Sequence, residues 1–203
     1  MKNRILVLGN DPQINEIDFS ALDPKIITLG VNRIWLKHIP HYFFFNDYAI
    51  ITELNSAPEH LAKLRSNSTI FSSDWLRPQV KKHRASIPAW TKIIDRPDPY
   101  VFPDAVTTAI SIFRRNYSIS SDSVFYIAGV SLLWQEPSHF WKNGNYQNSL
   151  NNHDQKWYEN RFVRIEDNFK KLKSLGIKMV SVNPNSRLNK MMRYESIANL
   201  YAR

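Results

Sequence analysis

Three asparagines follow three short apolar runs. Asn10 comes after Ile5-Leu6-Val7-Leu8-Gly9, Asn32 after Ile26 to Val31, and Asn46 after His41 to Phe45. An asparagine side chain offers two amide donors and one carbonyl acceptor. Three of them around one crevice suit a base edge, a ribose or a phosphate, with no demand for a metal. Gly9 lets the backbone come close to a ligand, and the N-terminus of a following helix can accept a phosphate. A single Asn at a strand end is ordinarily a turn or cap residue. Its recurrence after successive core strands is what points to a pocket.

Other chemistries lack their residues. Gly9-Asn10-Asp11-Pro12 is not the G-x-G-x-x-G of dinucleotide binders, because Asp11 stands at the second glycine. No G-K-[ST] phosphate loop and no G-x-S-x-G nucleophile elbow occur. His38, His41 and Asp47 lie on a turn and a strand without metal-ligand spacing. Cysteine is absent, which removes disulfides, thiolate nucleophiles and Cys-based zinc sites. His153-Asp154 forms a base with an orienting acid, Glu159 is a competing base, and Arg161 and Arg164 can clamp phosphate groups. Met191-Met192 reads as core filler.

The elements that must hold these residues follow from periodicity. Continuous apolar runs at 5–8, 26–31, 41–45, 69–71, 123–129 and 177–182 predict strands buried on both faces. Helical spacing predicts a short helix near 14–22 and longer ones at 57–65, 107–115 and 162–175, the last ending at Gly176. A terminal helix is expected over 188–200. The stretch from about 74 to 104, rich in Pro, Trp and basic residues, reads as an irregular lid. Residues 135–158 read as a mobile Asn-rich loop. Strands alternating with helices predict one Rossmann-like α/β domain over 1–203, a mainly parallel sheet flanked by helices. Ligands of such sheets sit at the carboxyl ends of the strands. Those ends are Gly9-Asn10, Asn32, Asn46, Gly129-Val130-Ser131 and Asn183 to Ser186.

The chain has 203 residues, 43% of them hydrophobic, enough for a buried core and too many for a disordered chain. No apolar run reaches the roughly 20 residues of a membrane-spanning helix. The N-terminal apolar run is short and ends in Gly9-Asn10-Asp11, a strand ending and no targeting signal, so a cytoplasmic location is expected. The formal charge is +9, from 27 Lys and Arg against 18 Asp and Glu. It is not spread evenly. Residues 1–60 carry five basic and seven acidic residues, a local −2. Residues 75–94 carry five basic residues and no acid, and residues 156–203 carry eleven basic and four acidic residues. Both basic blocks are expected to rim the crevice and to favour a polyanionic partner. Arg77, Lys81, Lys82 and Arg84, interleaved with Trp75 and Trp90, suit stacking on bases beside phosphate contacts.

The sequence Ile5-Leu6-Val7-Leu8-Gly9-Asn10-Asp11-Pro12, continued through Ile17-Asp18-Phe19-Ser20, resembles the opening of the bacterial lipooligosaccharide sialyltransferases, a strand with Gly-Asn-Gly-Pro-Ser and an Ile-Asp-Tyr-Ser segment. Val31-Asn32-Arg33-Ile34, Phe45-Asn46-Asp47, Thr107-Thr108-Ala109-Ile110, Tyr126 to Ser131 and Ile177 to Ser186 resemble further motifs of that family in the same order. A broader set of bacterial proteins shares the opening motif, pterin-pyrophosphokinase-like and flagellin-glycosylation proteins among them, which broadens the resemblance to nucleotide-sugar-transferase-like proteins. The resemblance implies a CMP-sugar donor held by Asn10, Asn32, Asn46, Thr107 and Thr108, with transfer by inversion and without an essential metal. It implies two tyrosines at the leaving phosphate, where Trp134 is the aromatic nearest the first and Tyr146 or Tyr158 supplies the second phenol, and a histidine general base before the helix at 162–175. Ser131 stands at a family Asp, and Ala105 at a family Arg.

The residues and the resemblance together predict a metal-independent inverting glycosyltransferase with a CMP- or UDP-linked donor and no bound cofactor. The donor pocket is assigned to Gly9, Asn10, Asn32, Asn46, Thr107, Thr108, Gly129 and Ser186. The base is His153, with Glu159 second. The leaving phosphate is assigned to Trp134, Tyr146, Tyr158 and Arg161, and the acceptor to Arg77, Lys81, Lys82, Arg84 and Trp90. The acceptor is an acidic glycan or a hydroxylated base in DNA. The other reading is a nucleotide-sensing or nucleic-acid-binding protein without catalysis. Oligomeric state is left open, a homo-oligomer included.

Overall fold

Strand β1 (Arg4–Leu8) is apolar on both faces, and that decides the architecture. Ile5 and Val7 point to one side and Leu6 and Leu8 to the other, and all four are fully buried. A strand of this kind needs cover above and below, which a sheet gains when helices cross over both faces. The computed structural model describes residues 3–96, 104–117, 119–133, 140 and 155–202. In it, β1 lies inside one sheet with β2 (Ile27–Val31), β3 (Tyr42–Phe45), β4 (Thr69–Ser73), β5 (Lys92–Ile94), β6 (Val124–Ala128), β7 (Lys178–Ser181) and β8 (Arg193–Tyr194). Their order is β5-β4-β3-β2-β1-β6-β7-β8, and every pairing between these strands is parallel.

Helices α4 (Ala105–Asn116) and α5 (Gln155–Ser174) cover one face, packing Ile110, Phe113, Phe169 and Leu172 against Ile5, Val7 and Phe125. Helices α1 (Tyr48–Asn55), α2 (Pro58–Asn67) and α3 (Leu76–Lys82) cover the other, where Leu54, Leu64 and Val80 meet Leu6, Leu8, Phe43 and Phe45. Short 3-10 turns at Pro12–Glu16 and Asn32–Leu36 complete that layer. The second turn is fixed by Arg33, which forms an ion pair with Glu53 of α1; the side chains are only 7% and 9% exposed. His38 and His41 contact Thr28, near the amino end of β2 and away from the strands' carboxyl ends.

The fold class agrees with the periodicity, and the local outcomes differ from it in several places. The segment after β4 contains α3 and the parallel edge strand β5; Pro, Trp and Lys had hidden their short apolar patterns. Helix α1 lies between the expected strand at 41–45 and the expected helix at 57–65, where periodicity predicts no element. The expected terminal helix is two 3-10 turns, Arg187–Lys190 and Ile197–Leu200, flanking β8. Ser186 and Ser196 cap those turns with side-chain oxygens, which competes with continuous helix. Helix α5 begins at Gln155, inside the expected loop.

Two glycines let β1 and β6 finish side by side. A Cβ on Gly9 would collide with the Gly129 carbonyl and come within 2.7 Å of Val130 Cγ2. Gly129 itself has φ +65°, and a Cβ there would meet Ile14 Cγ1 at 2.6 Å. Gly9→Ala is therefore expected to cost about 1–3 kcal/mol, because the obstructing atoms include backbone. Gly176→Ala, at φ +77° with nothing within 4 Å, should cost only about 1 kcal/mol for the left-handed conformation. Urea denaturation of the two variants, compared at constant m-value, checks the order.

Candidate functional site

The chain leaves β1 toward β2 on one side and leaves β6 toward β7 on the other, so a crevice opens between their carboxyl ends. This reversal of strand order is where open α/β sheets bind ligands. Its floor is tied across the gap. Gly9 N donates to Ala128 O at 2.8 Å and Asp11 N to Gly129 O at 3.0 Å. Gln13 Oε1 accepts from Gly129 N at 2.9 Å, while Gln13 Nε2 donates to Val182 O, also at 2.9 Å. The Asp11 carboxylate accepts the backbone N–H of Ser131. Burial pushes the Asp11 carboxyl up to about 6, and its hydrogen bonds with Ser131 hold it from rising further. Asp11 thus supplies a carboxyl from the β1 side of the gap, opposite Ser131 on the β6 side.

Two of the three asparagines present unanswered acceptors. Asn10 Oδ1 and Asn32 Oδ1 are buried and have no hydrogen-bond partner. Asn32 also has φ +51°, a left-handed backbone outside glycine. Such conformations and unpaired buried oxygens both cost free energy, and they concentrate where a ligand completes the arrangement. Asn46 differs, since its Oδ1 accepts from Ser73 Oγ and its backbone O accepts from Gln79 Nε2 at 2.8 Å.

The far wall is the N-terminus of α4. Asp104 caps it, accepting from Thr107 N at 2.8 Å, from Thr107 Oγ1, and from Asn168 Nδ2 of α5 at 2.7 Å. Burial raises the Asp104 pKa, opposed by these bonds and by the charge of Arg161. Burial likewise lowers the Arg161 pKa, while Asp104, Tyr158 and Asp47 pull it back up. Arg161 is therefore a partly sequestered cation within electrostatic reach of Asp104, with its guanidinium over the Trp157 ring at 5.2 Å. It lines two cavities together with Asn32 and Ala105. One, of about 350 Å³, is bounded also by Asn46, Asp47, Trp75 and Gln79. The other, of about 160 Å³, reaches Asn10, Asp11, Gly129 and Tyr158. The crevice is thus two-lobed, with a guanidinium between the lobes.

The remaining candidates separate by position. Thr107 is fully buried and its hydroxyl is spent on Asp104, so it acts on the crevice through the α4 cap. Thr108 is fully buried with an unpartnered Oγ1. Ser186 Oγ donates to Val130 O at 2.8 Å and accepts from Leu188 N at 3.1 Å, fixing the loop after β6. Glu159 is exposed on α5 and accepts from Gln155 Nε2 at 2.6 Å. Arg77, Lys81, Lys82 and Arg84 are exposed on and after α3, beside the larger lobe. Trp90 packs on Phe45 with ring centroids 5.9 Å apart, whereas Trp75 is 41% exposed beneath Arg96. Trp134, Tyr146 and His153 lie outside the described residues. Sequence reasoning missed Gln13, Gln79, Asp104 and Asn168; only the Asp-x-x-Thr spacing of an N-cap could have flagged one of them. Among the described residues no group of three or more His, Asp or Glu could hold a metal ion.

No protein-family model matches the chain, and no curated protein matches it. Solved structures do. The sialyltransferase CST-II in complex with a trisaccharide acceptor and CMP aligns at TM-score 0.58 with 12% identity, over 99% of this chain and 88% of that one. CstII from Campylobacter jejuni with the substrate analogue cytidine-5'-monophosphate aligns at TM-score 0.55 and 11% identity, over 98% and 87%. The monofunctional α-2,3-sialyltransferase Cst-I from Campylobacter jejuni aligns at TM-score 0.57 and 13% identity, over 100% and 82%. The chain has a sialyltransferase-like glycosyltransferase fold, a Rossmann-like α/β sheet.

The raised Asp11 pKa has a definite consequence for stability. The folded state favours the protonated carboxyl, so this contribution is complete below the ordinary value of 3.8 and is lost as pH rises through about 6. Asp11→Asn keeps an acceptor for Ser131 N and does not titrate. Its thermal midpoint should fall less than that of the wild type between about pH 4 and 7, the two curves diverging mainly between pH 4 and 6.

Proposed function

We propose that the chain is a glycosyltransferase whose donor is a nucleotide-linked sugar, with CMP as the preferred nucleotide. The observation that carries this reading is the pair of buried, unpartnered oxygens on Asn10 and Asn32, beside the cationic Arg161, in the crevice where the strand order reverses. The solved structures of the same fold include sialyltransferases in complex with CMP. The smaller lobe would receive the donor's hydroxyl or amino groups, which supply the hydrogen-bond donors that the asparagine oxygens lack.

In the proposed reaction the acceptor hydroxyl oxygen attacks the anomeric carbon from the side opposite the phosphate. The bond between that carbon and the phosphate oxygen breaks, and the nucleotide departs with the electron pair. Inversion follows from this single displacement. Arg161 stabilises the departing phosphate electrostatically, with Tyr158 beside it. The base removing the acceptor proton is His153, with Glu159 the alternative. Ala105 stands at the position of a family arginine, so that partner of a donor carboxylate is lost, which favours a neutral sugar over sialic acid. The acceptor approaches past the exposed cations Arg77, Lys81, Lys82 and Arg84, which fits a polyanion, an acidic glycan or DNA with a hydroxylated base.

Thermal-shift titration tests the donor pocket. At about one hundred times its dissociation constant a ligand adds about 2.7 kcal/mol, so CMP should raise the midpoint by several degrees. Asn32→Gly removes the side chain while keeping the left-handed backbone without strain. It should fold normally yet bind CMP about tenfold more weakly. Absence of any shift with CMP, UMP, GMP or AMP would overturn the reading.

A further inference from the structure

The basic C-terminal block is split: Arg161 stands in the crevice, whereas Lys173, Lys178, Lys190 and Arg193 line a separate groove. Strands β6 and β7 begin at Val124 and Lys178, which are paired neighbours, so this is the amino end of the sheet, opposite the crevice. Both large helices end there with basic last turns, Arg114 and Arg115 on α4, Lys171 and Lys173 on α5. Between the end of α5 and the edge strand β8 runs a groove of about 660 Å³. Its charged lining residues are Lys173, Lys178, Lys190 and Arg193, with no acid among them. Its walls include Ile177, Met179, Met191 and Met192. Just outside stand two exposed apolar side chains, Leu175 at 63% and Tyr194 at 43% exposure.

Cations at helix C-termini have an ordinary role in offsetting the helix dipole. That role accounts for Arg114, Arg115, Lys171 and Lys173. It leaves Lys178, Lys190 and Arg193 unexplained, as it does the exposed Leu175 and Tyr194. Two of these cations have acid neighbours. Lys178 Nζ lies 2.6 Å from Asp122 Oδ1, and Arg193 pairs with Glu195. The lysine and Asp122 are both more than half exposed, so the pair is screened by water and exchangeable. Lys173 Nζ donates to Met191 O at 2.6 Å. The groove also holds a buried acceptor without a partner, Asn189 Oδ1, while the amide nitrogen of Asn189 is bound to Asn183 O and Pro184 O.

We propose that this groove and its rim dock the chain on an anionic lipid bilayer. Duplex nucleic acid needs cations alone, and exposed leucine and tyrosine add nothing to phosphate contacts. A bilayer surface uses both parts. The cations meet lipid phosphates, and the apolar side chains enter the boundary between headgroups and acyl chains. The unpartnered Asn189 oxygen suits a headgroup that carries hydroxyls. Docked by this end, the protein turns its crevice away from the bilayer, open to the donor and to an acceptor arriving from the aqueous side. The docking is independent of what the crevice transfers.

Co-sedimentation with large vesicles is the test. Vesicles of phosphatidylcholine with about one third phosphatidylglycerol should retain the protein, and vesicles of phosphatidylcholine alone should not. Raising salt from about 0.1 to about 0.5 M should release most of it. Lys178→Glu with Lys190→Glu should weaken binding at least about tenfold. Leu175→Asp, at a largely exposed position, should weaken it severalfold without altering the thermal midpoint. Lys81→Glu with Lys82→Glu, the same change in net charge at the other end of the molecule, should not. Equal binding to both vesicle types, or equal loss in the Lys81/Lys82 pair, overturns the proposal. So does retention of duplex DNA by the same groove with no retention on vesicles.

Discussion

The close approach of β1 and β6 at their carboxyl ends is the constraint from which the rest of the molecule follows. A side chain on Gly9 would run into the Gly129 backbone, and one on Gly129 would run into Ile14. That contact places the reversal of strand order where two chain ends can splay apart. Everything that forms the crevice floor depends on it. The ties from Asp11 to Ser131 and from Gln13 to Gly129 and Val182 cross the same gap. They fix the level at which Asn10 and Asn32 stand, and so the depth of the smaller lobe.

A second buried node governs the opposite wall. Asp104 gathers Thr107 and Asn168 around one carboxylate and so locks α5 against the start of α4. Because α5 carries Tyr158 and Arg161, this node also sets the position of the guanidinium between the two lobes. The arrangement offsets one sequestered charge with another. The guanidinium lies over the Trp157 ring at 5.2 Å and lines both cavities, which brings positive charge to the lobes.

Charge is divided between two ends of the molecule. Locally acidic strand ends and Arg161 face the crevice, the 77–84 cations are exposed on and after α3, and Lys171, Lys173 and Lys178 lie at the amino end of the sheet. The net +9 is therefore not one field around one site. Sequence position is a poor guide here because a crossover helix carries its first and last turns to opposite ends of a parallel sheet. In α5, Arg161 and Lys173 are only twelve residues apart in number, yet they belong to different faces of the protein.

The sequence by itself determined the sheet and its chemistry-bearing ends. Runs such as Ile5–Leu8 and Val124–Ala128 are apolar on both faces, so they demand cover on both sides wherever they fold. The Asn and Gly residues that end them mark the functional edge for the same local reason. What the sequence could not disclose was which side chains would be spent on one another. Thr107, Ser186 and Asn46 look as available as Asn10 and Asn32 until folding brings Asp104, Val130 and Ser73 to them. Short elements such as α3, β5 and β8 were also undetermined, because few residues contribute to each and the packing of a neighbouring strand or helix decides their form. Partner choice across long sequence separations is a property of the assembled layers, since a hydrogen bond between residues sixty positions apart exists only once both helices have docked.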